Sequence, residues 1–109
     1  MDLAADVYRL TQCWPREESF GLTSQARRAA SSVPANIAEG YGRQSKANYL
    51  QFLRIARGSL KELETHLLLA DRVGIAGHDD CKHALQSSDE LGRMLNALIA
   101  SIRKSKADR

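Results

Sequence analysis

The sequence predicts an all-α protein, an antiparallel up-and-down four-helix bundle whose second helix is kinked at Pro34. Apolar residues recur at steps of three and four along most of the 109 residues, which is the spacing of one face of a helix. No stretch shows the apolar–polar alternation of a strand bounded by turn residues. Two prolines and seven glycines leave little material for long loops, so the connections should be short. We predict one domain over residues 1–109, with helices at about 2–13, 23–41, 46–73 and 79–104.

The first predicted helix carries a single apolar stripe. Leu3, Val7, Leu10 and Trp14 form this stripe, and Pro15 follows it directly. Since the residue before a proline is disfavoured in the helical conformation, the helix should stop there.

The second predicted helix follows a polar connector, with Thr23 as its expected N-cap. Its stripe of small apolar residues continues through Pro34, which cannot donate a backbone hydrogen bond and crowds the carbonyl of Ala30. A helix that passes through this proline should bend there. Ser31 or Asn36 is expected to supply partners for the freed backbone groups.

Two glycines mark the end of this helix. Gly40 and Gly42 are expected to end it, and Glu39 is expected to pair with a basic residue such as Arg57 on the next helix. A phosphate-binding loop at Gly40–Lys46 is the alternative, because glycine-rich turns that open a helix expose backbone N–H groups. The P-loop spacing and its preceding buried strand are both missing, so we interpret the segment as a helix end and a turn.

The third predicted helix has the clearest pattern, a heptad seam that runs from Tyr49 to Ala70. Ser45 is placed to cap its start, and Gly74 is placed to end it at the C′ position. Gly58 interrupts its interior at a cost of about 1 kcal/mol relative to alanine. A glycine there suggests that another backbone packs close to it, which favours an oligomer.

The fourth predicted helix repeats the seam from Cys81 to Ile102. His78, Cys81 and His83 resemble a metal cluster, but a structural zinc site needs four ligands and no second pair lies nearby. Cys81 lies on the apolar seam, so we interpret it as a buried thiol. We therefore predict no metal site and no cofactor.

The sequence shows no catalytic signature. A nucleophile elbow and a Cys–His motif are both missing, and His66 is expected to be half-exposed beside the seam. We predict no catalytic residues and no enzymatic activity. An enzyme whose site is assembled only in space is the third hypothesis.

Positive charge is concentrated between the second helix and the first half of the third. Gly21–Lys61 carries seven basic residues and one acidic residue, a net charge of +6, against +3 for the whole chain. Acidic residues follow in the second half of helix three and the start of helix four, so one end of the bundle should be positive, as phosphate contacts require. Charges that pair internally, such as Arg57 or Lys61 with Glu64, are the alternative. The candidates for phosphate contact are Arg27, Arg28, Arg43, Lys46, Arg54 and Arg57.

The chain has the features expected of a cytoplasmic protein without a membrane partner. Its two cysteines have no close spacing, which fits a reducing compartment. No signal peptide is visible at Met1–Ala4, and charges interrupt every apolar segment well before membrane-spanning length.

Two segments carry a resemblance to a known family. Phe20–Arg43 and Tyr49–Gly74 resemble the bacterial four-helix bundle family of the 23S rRNA intervening sequence protein, through S-x-P-x-N-I-A-E-G followed by A-R-G-S. The resemblance implies a bundle that assembles into homopentamers, mostly without an assigned activity. The related accessory variability proteins of diversity-generating retroelements imply RNA, DNA or a nucleic-acid-processing protein as partner. The residues expected to shape the subunit for assembly are Pro34, Asn36, Glu39, Gly40, Gly58 and Glu64.

Our leading hypothesis is a non-enzymatic homo-oligomeric bundle that binds RNA, DNA or a ribonucleoprotein through its basic surface. The competing hypothesis is a protein–protein interaction scaffold with no nucleic-acid role.

Overall fold

The chain forms four α-helices and one short 3₁₀ helix in a computed structural model that describes residues 2–18 and 20–105. No strand occurs in these residues, so the prediction of an all-α four-helix protein is confirmed. The molecule measures 49 × 22 × 18 Å. The elements are α1 (Asp2–Thr11), the 3₁₀ helix (Arg16–Glu18), α2 (Leu22–Tyr41), α3 (Lys46–Arg72) and α4 (His78–Lys104).

Helices α2 and α3 pack along their lengths around the predicted seam of α3. Ser32 Oγ lies 2.8 Å from Ser59 Oγ, and Gly40 lies against Tyr49 and Phe52. Residues later in α2 therefore contact residues earlier in α3. The leucines of the seam are almost completely buried, which removes their apolar surface from water and places them in the core together with residues of α1, α2 and α4. The fully buried leucines are Leu53, Leu60, Leu63 and Leu67.

Helix α1 is short and covers only part of the bundle. It has 10 residues and spans about 15 Å, whereas α3 and α4 have 27 residues each and span about 40 Å. Leu10 and Cys13 border one concavity together with Ala84 of α4, and Thr11 contacts Arg27 of α2. Lys46 at the start of α3 bonds the end of α4, and Tyr41 at the end of α2 lines one concavity with Ile102 of α4. The last turns of α4 therefore lie beside the end of α2 and the start of α3.

The predicted caps of α3 are confirmed. The backbone N–H of Asn48 donates to Ser45 Oγ at 3.3 Å. At the other end Gly74 has φ +79°, a conformation that favours glycine. The N–H of Ile75 donates to Ala70 O at 3.0 Å and that of Gly74 to Asp71 O at 3.2 Å, the paired hydrogen bonds of a Schellman motif.

The predicted cap of α2 is wrong. The helix begins at Leu22, so Thr23 lies inside the first turn, where its side chain is buried. Gly21 occupies the N-cap position, and Glu18 Oε1 accepts from the backbone N–H of Leu22 at 3.4 Å. The preceding 3₁₀ helix places the Glu18 carboxylate beside the first turn of α2, where it accepts the hydrogen bond that an N-cap side chain would otherwise accept.

Pro34 lies inside a continuous helix, so a loop across this segment is excluded. Asn36 Nδ2 donates to Ser32 O at 2.8 Å and to Ser32 Oγ at 2.9 Å, while Ser31 Oγ donates to Arg28 O at 3.2 Å. These side chains therefore bond the carbonyls of Ser32 and Arg28, and not that of Ala30. The bend at Pro34 stays a prediction.

Gly40 does not end α2, which continues through Tyr41 to a C-cap at Gly42. Gly40 is buried, and a Cβ atom there would lie 2.8 Å from Phe52 Cβ. Its role is to let α2 and α3 approach closely.

The expected pairing of Glu39 with Arg57 is also wrong. Glu39 Oε2 accepts from Arg43 Nη2 at 2.7 Å, one turn along the chain. Arg57 Nη1 instead donates to Asn96 Oδ1 at 3.0 Å, because Arg57 faces α4 and not α2.

Gly58 is exposed, and no described atom outside its own helical backbone and chain neighbours lies within 4 Å of a Cβ built there. The close backbone expected at this glycine is therefore not part of the described chain. Among the described helices, none has both the length and the apolar character needed to cross a membrane.

Candidate nucleic-acid interface

The end of the bundle where α3 begins and α4 ends carries basic residues from these two helices and from the connection before α3. Lys46 Nζ donates to Arg103 O at 3.4 Å and to Ser105 O at 2.6 Å. A lysine in this position satisfies carbonyls that the end of α4 leaves without intrahelical partners. It also fixes the start of α3 beside the last turn of α4. We call the set Arg43, Lys46, Arg54, Arg103 and Lys104 the basic end.

Arg43 lies in the connection from α2 to α3. Its guanidinium carbon lies 4.9 Å from the centre of the Phe52 ring, a cation–π contact, and its Nη2 pairs with Glu39. The side chain remains 44% exposed. A guanidinium has five N–H donors, so Arg43 retains donors for an external anion.

Arg54 and Lys104 are both exposed, and neither side chain pairs with a described residue. Arg54 lies eight positions beyond Lys46 on α3, a rise of about 12 Å. Arg103 and Lys104 are not among the residues that the sequence predicted for phosphate contact. Basic residues in the last turn of a helix are a recognised C-terminal signal and could have directed attention to them.

The structure does not bring all six predicted candidates together. Arg27 Nε donates to Thr11 Oγ1 at 2.7 Å, and its guanidinium carbon lies 4.8 Å from the centre of the Tyr8 ring. Arg27 therefore ties α1 to α2. Arg28 is exposed beside it, and about 20 Å of helix separates both residues from Arg43.

Some basic residues of the predicted positive segment bond other side chains of the same chain. Glu64 Oε1 accepts from Lys61 Nζ at 3.2 Å, and Glu64 Oε2 accepts from Ser88 Oγ at 2.8 Å. The predicted Lys61–Glu64 pair is thus present, whereas Arg57 is half-buried and bonded to Asn96. Arg57 is therefore less available for an external phosphate than Arg43, Lys46 or Arg54.

The region around the connection from α3 to α4 carries the carboxylates of Asp71, Asp79 and Asp80 and holds the predicted buried thiol. Cys81 is fully buried, as predicted, and burial raises its thiol pKa, with a further increase from the carboxylates of Asp71 and Asp80. His78 Nδ1 lies 2.9 Å from Asp71 Oδ2. Within the described residues, no group of three or more His, Cys, Asp and Glu side chains could hold a metal ion. The His66 side chain is 12% exposed, more buried than predicted.

A concavity of about 410 Å³ opens at the basic end. Tyr41, at the end of α2, is 79% exposed and meets Tyr49 edge to face, with ring centres 6.3 Å apart. Among the described residues that line it there is no carboxylate. The lining includes Tyr41, Arg43, Ser45, Lys46, Tyr49 and Ile102. Exposed aromatic rings beside cations are the surface groups that nucleic acids contact.

The family model of the 23S rRNA-intervening sequence protein matches residues 1–97. The chain belongs to this family. The resemblance found in the sequence is thereby confirmed. The matched residues include α1, α2, α3 and most of α4, whereas Arg103 and Lys104 lie beyond the match.

A solved structure is similar to this member of the 23S rRNA-intervening sequence protein family. It is the crystal structure of a protein of unknown function from the S23 ribosomal protein family of Bacteroides thetaiotaomicron. The similarity covers 91% of this chain and 89% of that chain, with a TM-score of 0.84 and 26% sequence identity. A comparison with curated proteins gives no match. Neither the family match nor the structural relative indicates an enzyme family.

Proposed function

We propose that this family member is a non-enzymatic, homo-oligomeric four-helix bundle that binds RNA or DNA, or a ribonucleoprotein, through its basic end. The observation that supports this most is the contact of Lys46 with the end of α4. This contact joins the start of α3 to the last turn of α4, which carries Arg103 and Lys104, and Arg43 and Lys46 line one concavity there. Glu39, the acidic residue nearest in sequence, is already paired with Arg43. Positive charge at one end of an elongated subunit favours a polyanionic partner.

The proposed contacts are to phosphates and not to base edges. Flexible exposed arginine and lysine side chains position a nucleic acid without reading its sequence. The family description refers to 23S rRNA and that of the structural relative to a ribosomal protein, which supports RNA as the first ligand to test. A nucleic-acid-processing protein is proposed as a further partner within such a complex.

The proposed location is the cytoplasm. Cys13 is an exposed free thiol and Cys81 a buried one, and neither forms a disulfide. Free thiols suit a reducing compartment.

A salt titration tests the proposed function. Binding of labelled single-stranded and duplex RNA and DNA would be measured by fluorescence anisotropy from 50 to 200 mM salt. If four side chains each neutralise one phosphate, affinity should fall about 50-fold for single strands and about 150-fold for duplexes over this range. The proposal fails if the protein binds none of these ligands at 50 mM salt, or if binding is independent of salt.

A protein-interaction scaffold is the second candidate, supported by apolar residues exposed on α3, at its C-cap and on α4. Leu68 is 56% exposed, Val73 58% and Met94 67%. Gly58, on the same α3, faces open space. Large exposed apolar side chains are surface that a partner chain would cover on binding. Both candidate functions include a homo-oligomer, which we expect to be a pentamer.

Replacement of Gly58 by alanine distinguishes an open helix face from an interface. In an uncovered helix, alanine should raise the free energy of unfolding by about 1 kcal/mol, because glycine is the poorer helix former. If another subunit packs on this glycine, Gly58→Ala should instead dissociate the oligomer. Urea unfolding and sedimentation velocity measure the two results. The scaffold candidate loses its support if the variant is more stable and the oligomer is unchanged.

A further inference from the structure

The concavity at the basic end contains aromatic surface that phosphate contacts alone do not explain. Tyr41 is 79% exposed, although it carries a large apolar ring. Its ring meets that of Tyr49 at an interplanar angle of 79°. Two rings in this edge-to-face arrangement do not stack on each other, so at least one face of the Tyr41 ring remains open. An open ring face beside cations is suited to stacking with a planar ligand.

The charges around Tyr41 favour an anionic form of that ligand. Arg43 and Lys46 line the concavity, and Arg43 keeps part of its side chain exposed. Lys46 uses two of its three N–H groups on α4 carbonyls, which leaves one for an external acceptor. The first N–H groups of α3, beyond the one that Ser45 satisfies, add positive potential at the same place.

The size of the concavity fits a single nucleotide unit better than a duplex. About 410 Å³ lies within the range of sites for small ligands. In a duplex the base faces are stacked on one another, so a surface tyrosine finds only phosphates and sugars there. An unpaired base can turn its face to the ring, and its neighbouring phosphates can reach the two cations.

We infer that this concavity binds a single-stranded segment of nucleic acid, with one unpaired base stacked on Tyr41 and the flanking phosphates on Arg43 and Lys46. The inference rests on the proposed function, because it names the class of nucleic acid that the basic end binds. It gives the protein a preference for single strands, loops or unpaired ends over continuous duplex. Because every base has an aromatic face, the site should show little sequence preference.

The test compares a labelled 12-nucleotide oligouridine with an RNA duplex of equal length, at 50 mM salt, by fluorescence anisotropy. The unsubstituted protein should bind the single strand at least about fivefold more tightly. Tyr41→Leu should weaken single-strand binding about tenfold and change duplex binding less than about twofold, since stacking exists only in the first complex. Tyr41→Phe keeps the ring and should bind like the original protein. Phe20→Leu removes another exposed aromatic ring, 99% exposed and outside the concavity, and serves as the matched control.

Several results would overturn the inference. The first is equal affinity of the unsubstituted protein for single strand and duplex. The second is an equal loss of affinity for the two ligands in Tyr41→Leu. The third is dissociation of the oligomer by Tyr41→Leu, seen in sedimentation velocity. In the first two cases steep salt dependence would leave the proposed function standing and remove only the role of Tyr41. If the unsubstituted protein binds neither ligand, the proposed function falls as well.

Discussion

Replacement of Gly40 by alanine is expected to lower the free energy of unfolding by about 2 kcal/mol relative to Gly42→Ala. A Cβ at position 40 would lie 2.8 Å from Phe52 Cβ and 3.1 Å from Tyr49 Cδ1. Phe52 Cβ is fixed to the backbone of α3, so the clash can be relieved only if the two helices move apart. Such movement would loosen the packing on which the core depends. Urea unfolding followed by circular dichroism measures the change.

Gly42 is the matched control for this prediction. A Cβ there would meet only backbone oxygens at 3.7 and 3.8 Å, an ordinary contact distance. Its backbone is right-handed helical, with φ −76°, so alanine is not strained there. Both substitutions reduce the freedom of the unfolded chain alike, and the helix preference of alanine favours the interior position 40 over the C-cap position 42. A lower stability of Gly40→Ala therefore reports the steric clash. Equal stability of the two variants would show that α2 and α3 are not in close contact at this point.

Removal of two charges from the basic end is expected to weaken nucleic-acid binding about tenfold at low salt. The variant is Arg54→Gln combined with Lys104→Gln, two exposed side chains that pair with no described residue. Each substitution removes one phosphate contact and the counterion release that goes with it. The slope of log affinity against log salt should therefore become shallower by about 1.4 for single strands and about 1.8 for duplexes. Fluorescence anisotropy across the same salt range measures both quantities.

A second double variant controls for net charge. Arg72→Gln with Lys82→Gln also removes one exposed arginine and one exposed lysine, but near the connection from α3 to α4, where the acidic residues lie. Both double variants lose two positive charges, so a difference between them reports where the nucleic acid binds. If the two variants lose affinity equally, binding depends on overall charge, and the basic end has no special role.

The secondary structure and several local contacts could be predicted from the sequence, because they depend on neighbours in the chain. The seam of α3, the cap at Ser45 and the left-handed Gly74 follow from apolar spacing and from intrinsic residue preferences. The cap of α2 was predicted wrongly, because the acceptor is Glu18 in the preceding 3₁₀ turn and not the Thr23 that the capping preference indicated.

The composition of the basic end could be predicted only in part. Arg43, Lys46 and Arg54 lie in one run of sequence and were found from it. Arg103 and Lys104 join them only because Lys46 bonds the end of α4, a contact across more than fifty residues. Charge density along the chain cannot reveal such a contact, since helix packing decides which ends meet. For the same reason Arg27 was grouped with Arg43 in sequence, although it faces α1 in space.

The sequence by itself determined the four helices, the α3 seam and the family, because helical periodicity and a specific motif are local properties of the chain. Only the tertiary structure decided the use of Gly40 as a helix contact and the partner of Arg57 on α4. It also decided that the Tyr41 ring meets Tyr49 of α3 and lines one concavity with Ile102 of α4. These features depend on which helix faces meet, and the meeting of faces is set by the packing of the whole core.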